Sequence, residues 1–159
     1  MKESFLLGRL AKFLVKDIPD DDHAGRIQRL VKFVQNLPYK WENDSNYDRP
    51  GMVTVFNGGS DCNNLTKLFV ELMNALGYDS AIMWVDQRVE DYALHTMGGI
   101  SREYFTNHDG MEYWSNGDIQ NPNTSKWFAV ELTGNTYLQP GVPLKDVWPD
   151  SKIFAIEEV

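Results

Sequence analysis

Cysteine is nearly absent from this sequence, with Cys62 alone among 159 residues, and histidine is scarce, with His23, His95 and His108 only. One thiol cannot close a disulfide within the chain or build a thiolate-only metal site, so Cys62 is either core filler or reactive. Basic residues are outnumbered too: 15 Lys and Arg face 23 Asp and Glu, a formal charge of −8. That balance repels both phosphate backbones and anionic lipid, so neither nucleic acid nor membrane is expected as a partner. No window reaches the roughly 20 apolar residues of a membrane span. Lys2, Glu3, Arg9 and Lys12, interspersed among apolar residues, do not lay out a signal peptide, so the cytoplasm is the expected compartment. Internal repeats and low-complexity tracts are also missing. What is plentiful is core-forming material, 42% hydrophobic and 13% aromatic, enough for one globular domain over residues 1–159.

Helices are expected first. Leu6, Leu7, Leu10 and Leu14 recur at helical spacing within residues 3–16, and Ile27, Leu30, Val31 and Val34 repeat the pattern after Pro19. Asp20, Asp21 and Asp22 suit a helix start, while Pro38 stands where a helix has ended. These aspartates lack the alternating ligands and glycine of a calcium loop, and no clustered ligands elsewhere suggest a metal. Residues 39–60 read as a long polar loop, with Met52–Phe56 as a short extended piece. Leu65, Leu68, Phe69, Leu72, Met73 and Leu76 then follow the i, i+3, i+4, i+7 rule up to Gly77, the best helix in the chain. Ala81–Val85, Tyr92–Met97, Lys126–Thr133 and Ile153–Ile156 are candidate strands, and residues 101–125 form a turn-rich hairpin or excursion between two of them. Helices followed by strands predict an α+β domain, an antiparallel sheet packed on the central helix.

Cys62 opens that helix, behind Gly58-Gly59-Ser60-Asp61. Free amides and the positive end of the helix dipole favour a thiolate there, and the Cys62 backbone amide could donate to an oxyanion. Asp61 opposes the thiolate, so a partner cation is needed, and imidazolium is the usual one. His95 lies inside an apolar strand-like run and is the histidine placed to be held rigidly; His23 and His108 read as surface residues. Glu131 alternates with Ala129 and Thr133 on another strand and could orient the imidazole. Trp84 and Trp127 are assigned to packing.

Gly58-Gly59-Ser60-Asp61-Cys62 with a helix ending Ala75-Leu76-Gly77-Tyr78 resembles the nucleophile segment of the transglutaminase-like superfamily, a G-x-G-D-C pattern and a helix closed by A-L-G. His95 with its flanks, and Trp127, Val130, Glu131 and Thr133, are similar to the family's histidine strand and W-x-x-V-D-x-T strand, in the same order. The chain departs at Glu131, where the family usually has Asp, and at Thr96-Met97, where H-A-W is usual. The bacterial transglutaminase-like cysteine proteinase group is the nearest subgroup. The resemblance covers residues 39–134; residues 1–38 form a helical preface and 135–159 a C-terminal extension.

The resemblance implies a papain-like α+β fold and a cofactor-independent cysteine peptidase or amidase acting on a peptide or protein. In it Cys62, His95 and Glu131 are nucleophile, base and orienting acid. Asn57 and Trp41 are the candidate side chains for completing the oxyanion hole. The alternatives are a non-catalytic binding or structural module of the same fold, or an acyl transferase.

Overall fold

The computed structural model describes residues 2–41, 49–86, 94–105, 113–114, 126–133, 140 and 151–159. Four helices, α1 (Lys2–Leu14), α2 (His23–Gln35), α3 (Gly51–Phe56) and α4 (Cys62–Ala75), precede five strands, β1 (Ser80–Asp86), β2 (Leu94–Ser101), β3 (Tyr113–Trp114), β4 (Trp127–Val130) and β5 (Lys152–Glu158). The strands form one sheet in the order β3-β4-β2-β1-β5, and every pairing is antiparallel. The architecture is α+β, with α4 laid across β2 and β1 and flanked by the other three helices.

α4 is central because its apolar stripe is completely covered: Leu65, Leu68, Phe69, Leu72 and Met73 are all fully buried. Burying each such side chain contributes roughly 1.5–3 kcal/mol, so the stripe anchors the domain. The same core takes Ile27, Leu30, Val31 and Val34 from α2, and Ile100, Phe128 and Val130 from the sheet. Met83, Val85, Met97, Trp127, Ala129, Ile153 and Ile156 form a second cluster of buried side chains. Trp127 is buried as expected of a packing residue, whereas Trp84 is only half-buried.

Several expectations shift. In α1 the buried side chains are Leu7 and Ala11, continued by Val15, while Leu6 is 42% exposed. Met52–Phe56 is helical, not extended. Pro50 enters with extended backbone, and the Gly51 amide donates to the Glu71 carboxylate at 2.8 Å, tying the helix start to α4. The β preference of Val53 and Val55 yields to that packing. β2 runs on beyond Met97 through a glycine pair. A Cβ on Gly98 would sit 2.8 Å from the Phe69 ring, so only glycine lets α4 approach the strand this closely. β4 is shorter than the expected Lys126–Thr133 and stops at Val130. Tyr92 and Ala93, and residues 106–112 and 115–125 of the expected hairpin, lie outside the described residues.

Candidate active site

The entry into α4 is built tightly. Gly59 has φ of 120°, a left-handed conformation, and a Cβ there would lie 2.0 Å from the Pro38 carbonyl oxygen. This contact brings the two segments together: Tyr39 bridges Ser60 in parallel register, and the Lys40 amide donates to the Ser60 carbonyl at 2.9 Å. Asp61 is the N-cap, accepting from the Asn64 amide at 3.0 Å and from its side-chain nitrogen at 3.1 Å. The carboxylate that seemed to oppose the thiolate is therefore committed to capping. Cys62 follows in the first turn, half-buried, and no hydrogen bond occupies its backbone amide among the described residues.

His95 enters from β2 and is 7% exposed; Glu131, just past the end of β4, is 4% exposed. His95 Nε2 lies 2.8 Å from Glu131 Oε2, leaving Nδ1 for the thiol. Glu131 is the first residue beyond β4, which ends at Val130. Its other carboxylate oxygen accepts from the Thr133 amide and hydroxyl, and its carbonyl accepts from Gln35 Nε2 at 2.7 Å. Gln35, buried on α2, thus fixes the backbone of the acid, a contact between residues 96 apart that no local pattern announces.

The electrostatics follow from this burial. Desolvation disfavours the imidazolium, but hydrogen bonds to Cys62 and Glu131 and their negative charges prevail and raise His95 from 6.5 to about 9. Burial likewise works against the Cys62 thiolate. The hydrogen bond and charge of His95 and hydrogen bonds from Thr96 outweigh it, holding the thiol below its ordinary 9.0. Burial would raise Glu131, yet His95 and Thr133 keep it below 4.5. The arrangement favours a thiolate–imidazolium pair with a carboxylate behind it.

Two neighbours were not singled out by sequence. Asn63 Oδ1 accepts from the Thr96 hydroxyl at 3.1 Å and lies 3.9 Å from Cys62 Sγ. The signal available was Thr96 itself, which stands where the resembled pattern has Ala. Trp41, 63% exposed, lies just beyond the segment bridged to Ser60. Asn57 caps α3 with an exposed side chain, its carbonyl accepting from Lys40 Nζ at 2.6 Å. His23 is exposed and its Nδ1 is 3.1 Å from the Tyr78 hydroxyl; His108 lies outside the described residues. A cleft of about 510 Å³ between α1, α3 and α4 is lined by Glu71, Asn74 and Ala75, at the opposite end of α4 from Cys62. No group of three or more acidic, His or Cys side chains suited to a metal occurs among the described residues. No helix among them is long and apolar enough to cross a membrane.

No family model matches the chain, and no curated protein does. Solved structures do. Legionella pneumophila LapG superposes with a TM-score of 0.55 at 11% identity, over 94% of this chain and 81% of LapG. A candidate cysteine protease from Cytophaga hutchinsonii gives 0.51 at 12% identity over 98% of this chain, which spans only 48% of that protein. The fold is transglutaminase-like. At these identities the likeness concerns the fold, and the chemistry has to be argued from this chain's own residues.

Proposed function

We propose that this protein is a thiol-dependent hydrolase of amide or acyl bonds, a cysteine peptidase or amidase. The observation that supports the reading is the line from the Cys62 thiol through the buried His95 ring to the Glu131 carboxylate, opening a helix whose first amide has no hydrogen bond among the described residues. In this mechanism the Cys62 thiolate attacks the substrate carbonyl carbon, forming the S–C bond and an oxyanion steadied by the Cys62 amide. Collapse breaks the C–N bond as the His95 imidazolium protonates the departing amine, leaving a thioester. Neutral His95 then takes a proton from water, which attacks the thioester and releases the acid and the thiolate. Glu131 holds Nε2–H, fixing the ring with Nδ1 toward sulfur. Trp41 remains the side-chain candidate for a second oxyanion donor, since its segment runs beside the lead-in to Cys62, whereas Asn57 belongs to the end of α3.

The test is labelling of the full chain with a panel of electrophilic peptides, read by mass spectrometry, alongside turnover of peptide amides. Attachment at Cys62 that requires His95, with turnover of at least one amide, is expected. Labelling no faster than that of a free thiol, with or without His95, would leave the domain as a non-catalytic module of this fold.

A further inference from the structure

The side chains around the sulfur contain more hydroxyl chemistry than a nucleophile, base and acid require. Thr96 and Thr66 are 2% and 0% exposed, sealed between β2 and the first turns of α4. Thr66 Oγ1 lies 3.3 Å from the Thr96 carbonyl oxygen and 3.4 Å from Thr96 Oγ1, with its one proton to give to either. Thr96 Oγ1 in turn donates to Asn63 Oδ1 at 3.1 Å, and that oxygen is 3.9 Å from Cys62 Sγ. A hydroxyl has one proton to give.

We propose that the Thr96 hydroxyl is a single-proton switch for the nucleophile, donating to Asn63 Oδ1 while Cys62 is a thiol and turning to the sulfur when Cys62 is a thiolate. In the thiol state Asn63 Oδ1 accepts from the Thr96 hydroxyl. On loss of the thiol proton the sulfur becomes the stronger acceptor, because a hydrogen bond to a charged atom is about twice as strong as a neutral one. The switch is a rotation of the Thr96 hydroxyl about its Cβ–Oγ1 bond. Burial raises the Cys62 thiol, and against it the larger effect of His95 together with hydrogen bonds from Thr96 hold it below its ordinary 9.0. The other charged groups near Cys62 are His95 with Glu131 behind it, Asp61 at the helix cap, and Arg49, 3.4 Å from the Ser60 hydroxyl. None of these is altered by a change at Thr96. The inference deepens the hydrolase reading by naming what helps set the charge of its nucleophile, but its test needs no hydrolysis.

The experiment is the pH dependence of Cys62 alkylation by iodoacetamide in the full chain, comparing wild type with Thr96→Val and Thr96→Ser. Thr96→Val keeps the shape and removes the proton; the alkylation midpoint is expected to rise by about one pH unit. Thr96→Ser restores the proton and is expected to return the midpoint to wild type. Should circular dichroism show Thr96→Val unfolded, Thr96→Ala carries the same readout. An unchanged midpoint in a folded variant without the hydroxyl overturns the switch, as does a serine variant displaced as far as valine. A shifted midpoint in a protein that cleaves no amide would sink the hydrolase reading and leave the switch standing; cleavage with an unchanged midpoint would do the reverse.

Discussion

At Cys62 the local residues pull against one another, and burial decides how strongly. Its thiol is half-buried, so Cys62→Ala should remove turnover while changing unfolding free energy by less than about 2 kcal/mol, measured by denaturant titration. The pH dependence of kcat/KM carries the sign of the two shifts. Activity needs the thiolate and the imidazolium together, so it should rise through a Cys62 pKa below 9.0 and fall through a His95 pKa of about 9. His95→Gln should abolish the alkaline limb and move Cys62 alkylation to higher pH; an unmoved alkylation profile would remove His95 from the mechanism. Glu131→Gln should lower kcat by about 10²-fold or more with little change in KM, because orientation of the ring matters chiefly in the transition state. Glu131→Asp pulls the carboxylate back from His95 and should be partly active; wild-type rates in both variants would reduce the site to a dyad.

Elements are positioned by contacts that tolerate no extra atom. α4 reaches the sheet where Gly98 lies beneath Phe69, with Val130 of β4 2.9 Å from the missing Cβ. Gly98→Ala should therefore destabilise the fold by about 1–3 kcal/mol and, by lifting α4 from β2, slow Cys62 labelling more than the loss of stability explains. A melting curve and a labelling rate on the same sample separate the two effects. Asp61→Ala should cost about 1 kcal/mol through the lost cap, with fraying confined to the helix end that carries the thiol. Element type was legible where a single period ran long, as in α4 and in the Ile27–Val34 stripe of α2. It was illegible in α3, where a six-residue helix is stabilised by docking on α4 and the Glu71 contact against its own β-branched composition. It was also illegible at Gly98-Gly99, where the approach of the Phe69 ring demands glycine at 98 and a Cβ at 99 would crowd Ala81 and Met83 on β1.

Across the whole molecule, the site and the stability are linked through Glu131. Its folded pKa lies below 4.5, so its contribution is complete above the unfolded value and is lost as pH falls through the folded one. Thermal melts of wild type and Glu131→Gln should therefore differ most near neutrality and converge as the pH falls through the lowered folded value; parallel curves would mean that the carboxylate's charge contributes nothing to folding. The sequence by itself determined the order of helices and strands apart from α3, the α4 stripe, the cap and glycine that start α4, and the three side chains considered for the chemistry. Each of these is written within a few residues or carried by a motif. Only the tertiary structure decided that His95 and Glu131 meet at 2.8 Å, that Gln35 anchors the acid from α2, and that Thr66, Thr96 and Asn63 are joined beside Cys62. Those contacts join residues 30 to 96 positions apart, and hydrogen bonds over such separations arise from how helices dock on a sheet, which periodicity and local propensity do not encode.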